Sequence, residues 1–258
     1  MDRTPGQETY KRKFNEMSKV ISILTPTRNR VRRLNDFIVS VYQHTRQKNR
    51  VEMLMYVDAD DPSLPQYKEY SKHCQTEFAG FLRIHFVFGE TKSVSESWND
   101  LYAKSVGDII IMGNDDLLYR TSLWDLRVER ETDRVKDEIY CMWMNDMINE
   151  DRHCAFPIVS RKWCETLGYF APGVFKFGYN DTWIYDIAKR IGRCHWISNV
   201  TAEHMHFTQS KSQPDDTYLR NRSGDRGNLY QLDGQTFASP EMVEKRVADA
   251  EKLRGVMK

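Results

Sequence analysis

Apolar and β-branched residues fill the stretch from Val20 to Thr25 and stop at Pro26, the pattern of a short buried strand closed by a breaker. Past the polar turn that follows, Val31, Leu34, Phe37, Ile38, Val41 and Tyr42 recur at three- and four-residue steps. That spacing predicts a helix with one buried stripe. The unit then repeats. Val51 to Val57 reads as a second strand, a helix is expected near Tyr67, Tyr70 and Cys74, and Leu82, Ile84, Phe86 and Phe88 alternate as in a third strand. Val94, Trp98, Leu101 and Tyr102 supply another helical stripe ahead of a strand from Asp108 to Met112. Strands alternating with helices predict an α/β fold whose mainly parallel sheet is flanked by helices.

Beyond Leu123 the pattern loosens. Ile139 to Met144 reads as a strand, and Ala155 to Val159 precedes a short helix around Trp163. A loop rich in glycine and aromatic residues, Gly168 to Tyr179, leads into a helix with Trp183, Ile184, Ile187, Ala188 and Ile191 on one side and Asn180 as its expected cap. His195 to Val200 reads as a late strand, which Glu203 to Phe207 either continues or directly follows. Ser210 to Gln235 is polar and rich in Asp, Arg, Asn and Gly, which predicts a mobile segment. Ser239 and Pro240 then open a terminal helix carrying Met242, Val243, Val247, Ala250 and Leu253. The expected division is an N-terminal extension over 1–18, the α/β domain over 19–208, and the polar segment with the terminal helix over 209–258.

Composition narrows the class. With 258 residues, 40% hydrophobic, 12% aromatic and 29% charged, the chain is too apolar for disorder and too charged for a membrane protein. No apolar run approaches the roughly 20 residues that cross a bilayer, and the first residues lack a signal-peptide core. The expectation is a soluble, cytoplasmic protein with no membrane span. Cys74, Cys141, Cys154, Cys164 and Cys194 show no CxxC spacing, so neither a disulfide framework nor a zinc cluster is indicated. A net charge of +1 gives no global attraction to nucleic acid. The clusters Arg28, Arg30, Arg32, Arg33 and Lys11, Arg12, Lys13 read as solvated faces or phosphate contacts.

Ligands of open α/β sheets bind beyond the carboxyl ends of the strands. The residues there are Thr27 to Arg30, Asp58 to Asp61, and Asn114 to Asp116. Adjacent carboxylates repel, and a bound cation relieves the repulsion. Hard oxygen ligands at Asn114, Asp115 and Asp116 suit Mg2+ or Mn2+ on a diphosphate. The plain alternative is a turn followed by a helix cap.

The turn from Pro26 to Arg30, the acidic segment from Val57 to Ser63 and the Asn-Asp-Asp after a hydrophobic strand, in this order and spacing, resemble the GT-A glycosyltransferases of the family-two type. The resemblance runs over residues 20–208 and implies a Rossmann-like GT-A fold with a nucleoside-diphosphate-sugar donor, a UDP-sugar being the expected one. It implies Mn2+ or Mg2+ as cofactor. By position, Thr25, Pro26, Arg28 and Asn29 would line the nucleotide, and Asp58 or Asp60 would contact base or ribose. Asn114, Asp115 and Asp116 stand for the family's Asp-x-Asp element. Because Asn114 replaces the usual first Asp, the direct metal contact is expected at Asp116. Lys92, Ser97 and Asn99 fall where the family places residues near diphosphate and sugar.

On the acceptor side the segment from Gly173 to Trp183 resembles the family's loop and Glu-Asp pair, with Asp181 as the base and Asn180 in place of the Glu. A carboxylate can orient an acceptor hydroxyl and take its proton. It could equally be a first-turn carboxylate that favours the helix dipole. The segment from Ala202 to Ser210 resembles the histidine region that completes the metal shell, His204 first and His206 second. At i and i+2 on a strand the two would point the same way, and a pair of core histidines is the bland reading. The six tryptophans belong to the core by default, with Trp183 a candidate to stack on a sugar.

A positioned base without a second nucleophile implies inversion, while retention stays open. A sugar nucleotidyltransferase would need a glycine-rich phosphate loop after the first strand, and Pro26 to Arg30 contains no glycine. A non-catalytic nucleotide-sugar-binding module is the other alternative, motivated by Asn114 and Asn180. The acceptor stays open among a glycan, a small molecule and a modified nucleic acid. The interleaved Arg and Tyr of Thr217 to Tyr230 would fold over a polyanion or form a lid over the donor.

Overall fold

Strands and helices alternate through the first half of the chain: β1 (Ile21–Thr27), α1 (Val31–His44), β2 (Val51–Asp58), α2 (Leu64–Glu77), β3 (Arg83–Gly89), α3 (Val94–Lys104), β4 (Ile109–Met112) and β5 (Leu117–Tyr119). The second half adds α4 (Trp124–Thr132), β6 (Cys141–Asn145), β7 (Ile158–Ser160), α5 (Arg161–Leu167), α6 (Asn180–Ile191) and β8 (Cys194–His204). It closes with α7 (Asp216–Arg222), α8 (Leu229–Ala238) and α9 (Pro240–Arg254). The computed structural model describes residues 19–211, 213, 215–222 and 227–258. The expected extension over 1–18, with Lys11, Arg12 and Lys13, lies outside the described residues.

All eight strands join one sheet in the order β3-β2-β1-β4-β7-β6-β8-β5. β1, β2, β3 and β4 run parallel, as do β6 and β8, while β7 and β5 lie antiparallel to their neighbours. The mixed, mainly parallel Rossmann-like sheet is the expected one.

Because side chains alternate across a strand, each strand serves two cores. Met53, Met55 and Val57 of β2 and Ile109 and Ile111 of β4 face the layer of α1 and α2, where Leu34, Phe37, Ile38 and Tyr67 are fully buried. Leu54 and Tyr56 of β2 and Ile110 and Met112 of β4 face Leu101 of α3, Trp163 of α5, Trp183 and Ile187 of α6 and Leu253 of α9. Both faces of the central strands are covered, which is why they read as continuous apolar runs.

Two local expectations are corrected. Leu82 is 46% exposed and lies before β3, because an edge strand buries little more than Ile84. Asn180 does not cap α6. The cap position belongs to Tyr179, left-handed at φ 64°, and Asn180 is buried with its Oδ1 2.6 Å from Ser95 Oγ. In the segment expected to be mobile, residues 212, 214 and 223–226 lie outside the described residues, and the described part includes helix α7 and most of α8. Its polar side chains are spent on distant backbone: Asp233 of α8 accepts from the amides of Lys176 (3.0 Å), Phe177 (2.7 Å) and Gly178 (2.8 Å). At the other end, Ser239 Oγ accepts from Met242 N and caps α9 as expected.

The residue that leads from β4 into the acidic turn is Gly113. A Cβ there would lie 2.3 Å from Thr25 Oγ1, 2.8 Å from Ile23 Cγ2 and 3.1 Å from Leu24 O, so β4 and β1 approach too closely for a side chain. Gly113→Ala is expected to lower stability by about 1–3 kcal/mol through overpacking, read as a lower urea midpoint at unchanged m-value.

Candidate active site

Six strands point their carboxyl ends the same way, and the residues beyond them meet at a cleft of about 520 Å³, within the range of small-molecule sites. The acidic turn after β4 forms its floor. Asp115 is fully buried and doubly held: Thr27 Oγ1 donates to Oδ2 at 2.7 Å, and Arg30 Nη1 donates to Oδ1 at 2.9 Å. Behind it the hydroxyls form a relay. Arg30 N donates to Tyr67 Oη (2.9 Å), which lies 2.8 Å from Thr27 Oγ1. Burial pushes the Asp115 carboxyl up, against the pull of Arg30. The Arg30 guanidinium is itself raised: burial opposes its charge, and Asp115, Asp215 and Asp116 outweigh burial.

Asp116 is built differently. The pairing of β5 with β8 sets Leu117 opposite His204, and Met205 N donates to Asp116 O at 2.8 Å. His204 Nε2 thereby comes to 3.4 Å from Asp116 Oδ2. Asp116 Oδ1 and His204 Nε2 are both buried and lack a hydrogen-bond partner. Buried polar atoms are rarely left so, and an unpaired carboxylate oxygen beside an unpaired imidazole nitrogen fits a cation between them. Burial would raise Asp116, but His204 and Arg30 outweigh it and hold the carboxyl below its ordinary value. Among the described residues no three His, Cys, Asp or Glu side chains gather to hold a metal by themselves. A cation here would rest on two protein groups plus oxygens brought by a ligand and water, which is how Mg2+ commonly sits on phosphates.

His206, the second candidate, lines the cleft with its ring centroid 5.0 Å from that of His204, and its Nδ1 pairs with Thr208 Oγ1 at 2.7 Å. Phe156 meets the His204 ring edge-on at 5.0 Å and fixes its plane.

The other expected residues divide. Pro26, Arg28, Asp58, Lys92, Ser97, Asn114 and Asp181 line the cleft with Asp115, Asp116 and His204. Arg28 Nη1 donates to Asp58 Oδ2 at 3.0 Å and to Asp60. Asp58 is pushed up by burial; in the more exposed Asp60, burial is outweighed by the Arg28 hydrogen bond, and its carboxyl is held at about 2. Lys92 Nζ is 2.6 Å from Asp100 Oδ2.

Thr25, Asn29 and Asn99 are not among the residues that line the cleft. Thr25 is buried under Gly113, with Oγ1 unpartnered. Asn29, at φ 53°, shapes the turn by donating N–H to Asp61 Oδ2 (2.9 Å) and accepting from Ser63 Oγ (2.8 Å). Asn99 is consumed by the loop after α5, accepting from Phe170 N and Ala171 N and donating to Ala171 O. Trp183 is fully buried with Nε1 on Tyr169 Oη, so it stacks on no ligand.

Several lining groups are held by partners far away in the sequence. Arg30 grips Asp215 at 2.7 and 3.0 Å, Arg33 joins at 3.0 Å, and Thr217 Oγ1 donates to Arg28 O. These contacts dock α7 against the turn between β1 and α1. Beside it, Tyr230 of α8 packs against Tyr179, ring centroids 5.1 Å apart, and Arg222 of α7 lies 4.1 Å over Tyr230. His153 Nε2 sits 3.0 Å from Asp181 Oδ2.

The chain matches no protein-family model, and no curated protein matches it in sequence. Solved structures do match. A mannosyltransferase from Pyrobaculum calidifontis, PcManGT, in complex with GDP-Man and Mn2+, aligns over 95% of this chain and 81% of its own, with TM-score 0.58 and 14% identity. TarS of S. aureus, residues 1–349, aligns over 92% of this chain and 81% of its own, at TM-score 0.53 and 11% identity. The same fragment in complex with UDP-GlcNAc aligns over 88% and 69%, at TM-score 0.54 and 11% identity. The fold is that of the GT-A glycosyltransferases.

The wall that carries Asp181 depends on Asp233, which is 3% exposed and serves three amides. Asp233→Ala should cost about 3 kcal/mol, since it leaves those amides without their acceptor. Thermal unfolding reads the loss, and hydrogen exchange should speed up first at Lys176, Phe177 and Gly178.

Proposed function

We propose that the protein is a metal-dependent glycosyltransferase that moves a sugar from a nucleoside-diphosphate sugar to an acceptor hydroxyl. One observation carries the reading: at the carboxyl edge of a GT-A sheet, buried Asp116 and His204 present unpaired ligand atoms to a cleft that Asp181 also lines. The alignment with proteins crystallised with GDP-Man and Mn2+ or with UDP-GlcNAc supports the donor class. UDP- and GDP-sugars are the candidate donors.

Asp116 and His204 would hold Mn2+ or Mg2+, which neutralises charge on the departing nucleoside diphosphate when bound. Arg28 with Asp58 and Asp60 would line the nucleoside, and Lys92 the phosphates. Asp115, already saturated by Thr27 and Arg30, acts on this reading as the anchor of the turn. Asp181 would orient the acceptor hydroxyl and take its proton as the oxygen attacks the anomeric carbon, which inverts that centre in a single displacement. Asn180 in place of an acidic residue does not weaken the case, because its side chain is a buried brace for Ser95.

The binding half is tested by thermal unfolding with UDP-GlcNAc, GDP-mannose and the free diphosphates, with and without Mn2+. At a hundredfold excess over Kd, one donor should stabilise the protein by about 2.7 kcal/mol, a rise in Tm of about 5–10 °C for a chain of this size. In Asp116→Ala the manganese-dependent part should vanish. A shift that does not depend on manganese, or that survives Asp116→Ala, overturns the metal assignment. For the chemical half, Asp181→Asn should keep the donor-induced shift and lower release of nucleoside diphosphate by about a hundredfold or more.

A further inference from the structure

The loop between β6 and β7 is rigidly built although it has no regular structure. Asp146 Oδ1 accepts from the amides of Ile148 (3.0 Å), Asn149 (2.7 Å) and Glu150 (3.1 Å), and Asn149 Nδ2 returns to Asp146 Oδ2 at 2.8 Å. Trp143 Nε1 donates to Glu150 O at 2.8 Å, and Cys154 is fully buried. His153 is therefore held between a braced turn and a buried neighbour. Its ring packs edge-on against Tyr185, centroids 5.4 Å apart at 86°, and Tyr185 lies one helical turn beyond Asp181 on α6. Two contacts thus aim the imidazole: a ring edge at position 185 and a hydrogen bond at position 181.

We infer that His153 is a positioning residue that fixes the Asp181 carboxylate for proton abstraction. The inference rests on the reading of Asp181 as the base. An ionised carboxylate only accepts, so the proton of the 3.0 Å contact sits on His153 Nε2 and occupies Oδ2. Oδ1 has only the longer contact from Thr182 Oγ1, at 3.3 Å, and is the oxygen left for the acceptor. In the step so arranged, the acceptor O–H bond breaks and its proton passes to Asp181 Oδ1. The acceptor oxygen bonds the anomeric carbon, and the bond from that carbon to the diphosphate oxygen breaks with its electron pair leaving on the nucleoside diphosphate. His153 keeps its proton throughout. Its part is geometric, and a small misplacement of a reacting group costs rate without weakening donor binding.

The test uses the full chain with Mn2+, UDP-GlcNAc and GDP-mannose, water serving as acceptor and released nucleoside diphosphate as the readout. His153→Phe should lower kcat about tenfold or more with donor KM changed less than about twofold. His153→Gln, which keeps an N–H at similar reach, should recover to within about threefold of wild type. In an Asp181→Asn background, His153→Phe should add less than about twofold, because the two act as one unit. Unchanged kcat in His153→Phe, or a full additional loss in the Asp181→Asn background, overturns the positioning role while leaving Asp181 as base. An Asp181→Asn enzyme with undiminished turnover overturns the base reading, and this inference with it. Independently of turnover, 15N NMR of the imidazoles, with His153 assigned by its loss in His153→Gln, should show the ring protonated at Nε2. A neutral ring protonated only at Nδ1 overturns the pairing.

Discussion

The short antiparallel contact between β5 and β8 is the constraint on which the acidic edge depends. Leu117 opposite His204, reinforced by Met205 N on Asp116 O, brings a carboxylate from one half of the chain beside an imidazole from the other. Nothing in the turn after β4 could do this alone, since residues 114–116 only decide where the acids leave the sheet. β8 reaches that edge because its pairing with β6 shifts register between Met144 and Asn145, with Ile197 opposite the former and Thr201 opposite the latter. Such an irregularity re-aims the strand beyond it. The consequence is a buried pair whose free valences face a cleft, in a region where unpaired polar atoms are otherwise costly.

Adjacent carboxylates at positions 115 and 116 are kept apart electrostatically by giving them separate partners. Asp115 receives Thr27 and Arg30 and faces inward, where burial works against its charge. Asp116 receives His204 and stays below its ordinary value. Arg30 joins the two sides, since it also binds Asp215 and so ties the approach to α7 to the same network. A single guanidinium with five donors suits this bridging work. The charge network that stabilises the floor of the cleft is therefore the one that fastens its roof.

Much of this was legible along the chain, and the reason is locality. The apolar runs of β1, β2 and β4 and the stripe of α1 each encode their burial within a few residues, so the sheet's parallel half and its acidic edge follow from spacing. Asp116 and His204 were singled out through resemblance, and the structure sets them side by side, Asp116 in the turn between β4 and β5 and His204 at the end of β8. Asn99 and Asn29 are not among the residues that line the cleft: Asn99 bonds the backbone after α5, and the Asn29 side chain accepts from Ser63 Oγ. His153 carried no signal at all. Its neighbours in sequence are irregular, and its partner Asp181 is 28 residues away. The helices α7 and α8 were hidden for a related reason. Their polar residues look like those of an unstructured segment until Asp215 meets Arg30 and Asp233 meets the amides of residues 176–178, contacts that span 185 and 55 to 57 residues.

That long-range bonding changes the meaning of the C-terminal segment. The run from Gly173 to Tyr179, which leads into Asp181, contains two glycines and no regular hydrogen bonding of its own. Stiffness has to be imported. From one side, Ser95 at the start of α3 holds Phe175 O and Asn180 Oδ1 at 2.8 and 2.6 Å. From the other, Asp233 takes the amides, and Tyr230 lies so close that a Cβ on Gly178 would come within 2.8 Å of its ring. Glycine at 178 is thus what lets α8 reach the loop. The edge with Asp116 and His204 is positioned by the sheet, whereas the wall with Asp181 is positioned by helices that arrive last in the chain. It follows that the two halves of the cleft draw on different parts of the fold, and that the second cannot form until residues beyond the α/β core have docked.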